Sequence, residues 1–232
     1  MSQIITIASG KGGTGKSSFA AGIAKSLCEL GKKTVLIDAN IGLRCLDIML
    51  GVDDKVLYTF ADVEEGICSA SDVMIDCGGF MLISPPQNGK CLHINRNFLI
   101  KFCKDLQNSF DFIIIDSVSG ISENFHAAVS PADKVILVTE PTLESIRCTD
   151  RAAAAAEESG INSLHLVISK VNPEQIKKGK QCKISTVIDM LGINTIGIVP
   201  DFNTKNKKST TSAAYKNIAR RIVGEKVPLA EI

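Results

Sequence analysis

The sequence has no long apolar stretch, since no run of 18 or more apolar residues occurs in its 232 residues. A helix that crosses a bilayer needs a run of about that length, so we expect no membrane-spanning segment. No charged-then-apolar signal segment precedes the first strand-like residues. The formal net charge is only +1, which argues neither for nor against an acidic partner. These absences favour a cytoplasmic protein.

Cysteine pairs with metal-binding or redox spacing are also missing. The eight cysteines form no C-x-C or C-x-x-C pair, so the local signatures of zinc, redox and cluster sites are not present. In apolar surroundings a free cysteine behaves as a small core residue. A metal held between single cysteines of two subunits stays open as an alternative. His93, His126 and His165 have no metal or triad spacing around them, which excludes Ser-His-Asp and Cys-His chemistry.

What the sequence does contain is a regular alternation of apolar and amphipathic segments. The predicted strands are Ile4–Ala8, Thr34–Asp38, Met81–Ser84, Phe112–Asp116, Lys134–Thr139, Leu164–Ser169 and Thr195–Val199. The predicted helices are Ser17–Leu30, Asn95–Gln107, Leu143–Ser159, Thr186–Leu191 and Ser212–Val223. Continuous apolar strands are typical of a parallel sheet buried on both faces. We predict one domain over residues 1–232, a doubly wound α/β fold with a mostly parallel sheet of seven to eight strands and helices on both faces.

A glycine-rich stretch lies between the first strand and the first helix. Residues 10–18 read Gly-Lys-Gly-Gly-Thr-Gly-Lys-Ser-Ser and contain the full pattern of a phosphate-binding loop. Glycines permit left-handed dihedrals and close approach to a ligand, and successive N–H groups at a helix N-terminus form an anion site. Lys16 supplies a charge for the outer phosphates, and Ser17 supplies a hydroxyl for Mg²⁺. The predicted nucleotide-binding residues are Gly10, Lys11, Gly12, Gly13, Thr14, Gly15, Lys16, Ser17 and Ser18.

Two aspartates at the ends of apolar strands complete the predicted site. In a doubly wound sheet, ligands bind at the carboxyl ends of the strands, where Asp38 and Asp116 lie. Asp116 has the Walker-B position, whose carboxylate helps the Ser17 hydroxyl to hold the metal. Asp38 is predicted to hold a Mg²⁺-bound water. The alternatives are a turn-forming role for Asp38 and an ordinary strand-end carboxylate at Asp116.

Five stretches of the sequence resemble ATPases of the MinD/ParA family. They are SGKGGTGKSS, VLIDANIGLRCLDIMLG, FIIIDSVSGI, ESIRCTDR and NIARRIVGEKVPL, and the resemblance runs from residue 1 to about residue 228. The part of the second stretch that spans residues 41–47 points to the MinD branch. The resemblance implies ATP and Mg²⁺ as ligands and an ATP-dependent homodimer in which Lys11 reaches the partner's nucleotide. It also implies hydrolysis triggered by a protein regulator, and a switch that positions a division-site or other cell-surface apparatus.

Three departures from the family pattern lie close to the nucleotide. Asn40 stands where the family has a second aspartate that is needed for hydrolysis. An amide can orient a water molecule but cannot take its proton, so we expect slow turnover. Val118-Ser119-Gly120 replaces the family's Pro-Ala-Gly turn, and Gly120 alone is kept as a candidate N–H donor near the γ-phosphate. The segment near the base, residues 201–208, is shortened, so specificity for adenine rests on the resemblance.

A fourth departure concerns the end of the sequence. Relatives of the MinD branch end in a basic amphipathic helix that lies on the membrane, whereas residues 227–232 read Val-Pro-Leu-Ala-Glu-Ile. So short a segment offers no apolar face with a cationic border, and we expect no direct membrane binding. Recruitment to the inner face of the membrane by a partner stays open.

Three functions therefore compete. The first is a MinD-like ATPase switch that acts through protein partners. The second is a ParA-like DNA-partitioning ATPase, for which lysine-rich residues 177–183 and 205–208 would contact DNA phosphates. The third is a nucleotide-binding adaptor with little hydrolysis because of Asn40. We favour the first, since lysine stretches in a chain of net charge +1 are typical of solvated loops.

Overall fold

The computed structural model describes residues 2–41, 44–86, 93–201 and 207–229. Parts of the stretches discussed above lie outside these ranges. They are Gly42 and Leu43 of the MinD-type stretch, Cys91 among the eight cysteines, residues 202–206 of the segment near the base and of the second lysine stretch, and the last three residues of the chain. Over the described ranges, no helix combines the length and the apolar character needed to cross a bilayer.

One sheet of eight strands organises the described residues. The strands are β1 (Gln3–Ser9), β2 (Thr34–Asp38), β3 (Met74–Asp76), β4 (Met81–Ile83), β5 (Phe112–Ser119), β6 (Lys134–Thr139), β7 (Leu164–Val171) and β8 (Asn194–Pro200). The helices are α1 (Lys16–Glu29), α2 (Leu46–Leu50), α3 (Phe60–Glu64), α4 (Arg96–Leu106), α5 (Glu123–Val129), α6 (Leu143–Glu158), α7 (Pro173–Lys177), α8 (Ile184–Leu191) and α9 (Lys207–Ile222).

The sheet has the order β3-β4-β2-β5-β1-β6-β7-β8. Its strand pairs are parallel except that of β3 with β4, which is antiparallel. The predicted doubly wound α/β fold with a mostly parallel sheet is confirmed, and all seven predicted strands are present. The eighth strand, β3, has three residues and was not predicted.

The apolar strands are buried on both faces, as parallel strands covered by helices must be. Ile5 and Ile7 of β1 lie in a core shared with α1 and α9, where Phe19 and Ile218 are also buried. Ile4 faces the opposite way, into a core that includes residues of α4 and α5. A third core connects β6 and β7 to α6 and α8. Helices therefore cover both faces, as the sequence predicted.

Strand register determines where the two aspartates lie. β5 pairs with β1 on one side and with β2 on the other, and Asp38 is the register partner of Asp116. Asp116 is also the partner of Ile7, just before the end of β1. The loop that follows β1 therefore starts beside both carboxylates, which is the arrangement that a ligand site at the carboxyl edge requires.

Some predicted boundaries were wrong. β5 continues through Val118 and Ser119, which we had placed in a turn before Gly120. β7 continues for two residues beyond Ser169, and these include Lys170. The helices α2, α3, α5 and α7 were not predicted because each has only five to seven residues, which is too short for a helical period to be recognised.

Gly10 provides a test of how closely α6 approaches the start of the phosphate loop. A Cβ atom on Gly10 would lie 1.9 Å from the carbonyl oxygen of Cys148 in α6, whereas a Cβ on Gly12 would meet no atom within 4 Å. We predict that Gly10→Ala lowers the free energy of unfolding by about 1–3 kcal/mol, because the backbone must move to relieve the overlap.

Urea unfolding followed by circular dichroism measures this loss, with Gly12→Ala as the matched control in the same loop. A Gly10→Ala protein as stable as the Gly12→Ala protein would contradict the close approach of α6.

Candidate nucleotide-binding site

The loop between β1 and α1 has the backbone conformation of an anion cradle. Gly13 and Gly15 have φ angles of 80° and 85°, which L side chains rarely adopt. Gly10 and Gly12 do not have left-handed angles. Gly10 is instead required for its contact with α6. The sign of φ alternates along the loop, because Thr14 lies between two left-handed glycines and is not left-handed itself. Such alternation points successive N–H groups to one side, as in a backbone anion nest.

The N-terminus of α1 opens directly behind this loop. Gly15 is its N-cap residue, so no side chain caps the helix, and its first turn contains no acidic residue. The first N–H groups of a helix have no helical partner and carry the positive end of the dipole. They border an open cavity of about 340 Å³, whose lining residues are Gly13, Thr14, Gly15, Lys16, Ser17, Ser18, Ser119 and Lys170. Six predicted residues thus line one cavity.

Lys16 and Asp116 form a buried ion pair beside the cavity, and the half-buried Asn40 is hydrogen-bonded to it. The Nζ atom of Lys16 donates to Oδ1 of Asp116 at 2.8 Å, and Nδ2 of Asn40 donates to Oδ2 at 3.1 Å. The side chains of Lys16 and Asp116 are 5% and 0% exposed. Three predicted site residues are therefore in contact, and both oxygens of the Asp116 carboxylate are occupied.

Asp38 lies next to this group and is equally buried. Its Oδ1 accepts the backbone N–H of Asn40 at 2.9 Å, and its Oδ2 accepts that of Leu46 at 3.3 Å. Burial, and then repulsion from Asp116, raise the pKa of Asp38 from 3.8 to about 6 against the effect of these hydrogen bonds. The pocket around the two carboxylates is therefore short of positive charge.

The donor atoms fit the Mg²⁺ ion that the sequence predicted. Carboxylate and hydroxyl oxygens are hard ligands of the kind that Mg²⁺ prefers, and Mg²⁺ usually takes one or two carboxylates together with phosphate oxygens and waters. Within the described ranges, no group of three or more His, Cys, Asp or Glu side chains could hold a metal by itself. Asp38, Asp116 and Ser17 match the smaller set that a nucleotide-bound Mg²⁺ needs.

Lys11 and Gly120 do not contact this buried group. The Nζ atom of Lys11 forms an ion pair with Oε2 of Glu144 in α6 at 2.7 Å, and this hydrogen bond raises the pKa of Lys11. Its side chain is 33% exposed, so it is accessible to a second molecule. The N–H of Gly120 donates to the carbonyl oxygen of Ser9 at 3.0 Å. Its predicted contact with a γ-phosphate would require this hydrogen bond to open.

Sequence reasoning missed the contribution of β6 and β7 to the site. Lys170, near the end of β7, donates to the carbonyl oxygen of Gly13 and forms a 2.7 Å ion pair with Glu140, which follows β6. Ser169 donates to the carbonyl oxygen of Thr14 at 2.7 Å. Ser169 ends a predicted strand and Lys170 follows it, and ligands bind at such strand ends, so the sequence does carry a signal for both positions.

Comparison with protein families gives a match over most of the chain. The ParA family model, described as NUBPL iron-transfer P-loop NTPase, matches residues 1–200. The septum site-determining protein MinD of a Synechocystis species is 33% identical over 247 aligned residues, which cover 100% of this chain and 93% of that protein. The septum site-determining protein MinD of Bacillus subtilis is 34% identical, with 99% and 92% covered.

MinD proteins are also among the solved structures that are similar to this chain. The MinC:MinD cell division protein complex of Aquifex aeolicus contains a chain with a TM-score of 0.89 and 32% identity, and 99% of each chain is covered. A MinD protein of Pyrococcus horikoshii, solved with Mg-ADP, has a TM-score of 0.85 at 22% identity, with 97% of each chain covered. The second similarity is one of fold.

The raised pKa of Asp38 predicts how stability changes with pH. The folded state keeps the Asp38 proton up to a pH of about 6, whereas the unfolded state releases it near 3.8. Folding therefore binds a proton between these values, and the contribution of Asp38 to stability is lost as the pH rises through 6. The loss amounts to about 1–3 kcal/mol at pH 7.5.

Unfolding by urea in EDTA, without nucleotide, measures this effect against Asp38→Asn, which cannot ionise. We expect the free energy of unfolding of Asp38→Asn to rise relative to that of the unmodified protein between pH 5 and pH 7.5. A difference that stays constant over this range would contradict the raised pKa.

Proposed function

This chain belongs to the ParA/MinD family of P-loop NTPases, and we propose that it is a MinD-like, ATP-hydrolysing dimeric switch that positions a division-site apparatus through protein partners. One observation carries the proposal. A complete phosphate loop leads into the N-terminus of α1, which no side chain caps, and Lys16 at that N-terminus forms a buried ion pair with Asp116. Similarity to septum site-determining proteins over nearly the whole chain supports the assignment to cell division.

On nucleotide binding, the Lys16 ammonium would exchange its ion-pair partner, from the Asp116 carboxylate to phosphate oxygens. In the structure the Lys16 ammonium neutralises Asp116. A bound triphosphate would offer this ammonium phosphate oxygens instead, and the Asp116 carboxylate would then become available to the metal. Mg²⁺, held by Ser17 and the two aspartates, would supply positive charge to the outer phosphates. The exchange leaves no buried charge uncompensated, which matters because an unpaired buried charge costs about 3–5 kcal/mol.

Hydrolysis depends mainly on the orientation of the attacking water and on charge stabilisation. Asn40 lies beside both carboxylates, and its amide can hold a water although it cannot accept a proton. We propose slow turnover that a protein regulator accelerates. A nucleotide-binding adaptor with almost no hydrolysis is the alternative that Asn40 specifically favours.

Protein partners are central to the proposed function. The chain of known structure that is 32% identical was solved as part of a MinC:MinD complex, so we propose a partner of the MinC type for this chain. We further propose an ATP-dependent homodimer, because Lys11 is accessible at the edge of the nucleotide site. The protein would work in the cytoplasm, at a site that its partner selects.

DNA binding is the less favoured alternative. Lys178, Lys180 and Lys183 are exposed, but exposed lysines are equally typical of a solvated loop. Nonspecific DNA binding that requires ATP and weakens steeply with salt would favour it.

We predict that Lys11→Ala binds ATP with near-normal affinity but no longer dimerises with it. The reason is that the Lys11 ammonium would act on the partner's nucleotide rather than on its own. Size-exclusion chromatography with light scattering, with a non-hydrolysable ATP analogue and Mg²⁺, measures the dimer.

The matched variant is Glu144→Gln, which removes the carboxylate that holds Lys11. It should dimerise at analogue concentrations equal to or lower than those the unmodified protein needs. Equal dimerisation by Lys11→Ala and the unmodified protein would refute the role of Lys11.

We also predict that Asn40→Asp raises the steady-state rate of ATP hydrolysis several-fold, because a carboxylate can accept a proton from the attacking water. Phosphate release with Mg²⁺ measures the rate, and Lys16→Ala is the inactive control. The same substitution should destabilise the nucleotide-free protein, since a third carboxylate would face Asp38 and Asp116. An unchanged or lower rate would mean that Asn40 is not a catalytic position.

A further inference from the structure

The end of β7 holds the rear of the phosphate loop through two adjacent side chains. The Ser169 hydroxyl donates to the carbonyl oxygen of Thr14 at 2.7 Å and lies 3.1 Å from that of Thr139. The Lys170 ammonium donates to the carbonyl oxygen of Gly13. Two successive carbonyl groups of the loop are therefore bound by two successive residues of one strand.

These contacts bear directly on the N–H groups that would hold a phosphate. A peptide unit is planar and trans, so its C=O and N–H groups point in opposite directions. The carbonyl group of Gly13 belongs to the same peptide unit as the N–H of Thr14, and that of Thr14 to the same unit as the N–H of Gly15. Holding both carbonyl groups on the β7 side therefore turns both N–H groups to the other side, as an anion nest requires.

The backbone of β7 is distorted where these side chains leave it. Lys170 has a φ of 53°, and the pairing of β7 with β8 shifts its register between Ile168 and Val171. A left-handed conformation at a lysine persists only where the surroundings impose it. Gln181 provides this support, since its Nε2 donates to the carbonyl oxygen of Lys170 and its Oε1 accepts the N–H of Asn172, both at 2.9 Å.

The Lys170 ammonium differs from those of Lys11 and Lys16 in being bonded to the loop itself. It donates to the carbonyl oxygen of Gly13 and is also paired with Glu140 at 2.7 Å, so it is bound on two sides. Ser169 is only 5% exposed, and its hydroxyl is used by the loop and by β6. The geometry suits residues that orient the loop.

We propose that Ser169 and Lys170 are positioning residues that hold the phosphate loop in its anion-binding conformation through the carbonyl oxygens of Thr14 and Gly13. The inference rests on the proposed function, because it assumes that the loop binds a nucleotide. It adds that the affinity of the loop depends on two residues more than 150 positions away in the chain.

The test compares the affinities of ADP and ATP, each with Mg²⁺, by isothermal titration calorimetry of the full chain. Ser169→Ala and Lys170→Met should each weaken both nucleotides by about tenfold, as expected for the loss of one such hydrogen bond. The loss should be the same for ADP and ATP, because the loop N–H groups would be equally disturbed for both. Lys170→Arg keeps a positive donor at this position, so its affinity for both nucleotides should stay within about twofold of that of the unmodified protein.

The matched control is Lys180→Met, which removes one charge from an exposed lysine near the same edge and should bind both nucleotides normally. Lys170→Gly is the second variant at this position, since glycine accepts the left-handed backbone without strain. It should melt close to the unmodified protein and still lose affinity, which separates positioning of the loop from general stability.

Two results would overturn the inference while leaving the proposed function in place. One is unchanged affinity in both Ser169→Ala and Lys170→Met. The other is a loss confined to Lys170→Met that is larger for ATP than for ADP, which would make Lys170 a direct phosphate ligand. Failure of the unmodified protein to bind either nucleotide would refute the proposed function, and the inference with it. Normal binding by the unmodified protein and by both variants would refute the inference alone.

Discussion

The buried ion pair between Lys16 and Asp116 is the interaction on which the rest of the site depends. It joins the first residue of α1 to β5 at 2.8 Å, across 100 residues of sequence. The pair satisfies two charges that could not stay buried separately. It also brings the phosphate loop to the same strand end as Asp38, because β5 lies between β1 and β2 in the sheet. The start of α1, the end of β5 and the proposed metal ligands therefore lie together at this ion pair.

Three lysines surround the phosphate loop, and each is paired with a carboxylate: Lys16 with Asp116, Lys11 with Glu144, and Lys170 with Glu140. The pairs differ in exposure and hence in how easily they exchange. An exposed pair such as that of Lys11 is weakened by solvent, so it opens readily when another anion arrives. The Lys16 pair is buried, so its opening requires a replacement anion and a cation together. We therefore expect a nucleotide with its metal to suit the site better than a free anion.

The parts of the site that local sequence determines were the parts that could be predicted. The glycine pattern, the apolar strands and their terminal aspartates each lie within a short window, and the structure places them together. The roles of Ser169, Lys170 and Glu144 depend on contacts between residues that are more than 100 positions apart. The need for glycine at residue 10 likewise comes from Cys148 in α6. Such contacts follow from strand order and helix packing, which periodicity alone does not specify.

Asn40 contacts both buried aspartates of the site. Its side-chain amide donates to Asp116, and its backbone N–H donates to Asp38, so a single residue bridges two carboxylates that repel each other. An aspartate in its place would offer no donor to Asp116 and would add a third negative charge, which would raise the pKa of Asp38 further. On the proposed function, asparagine would therefore favour the protein without nucleotide, and a carboxylate would favour binding of Mg²⁺. The identity of residue 40 would thus weigh stability in the absence of ligand against the rate of hydrolysis.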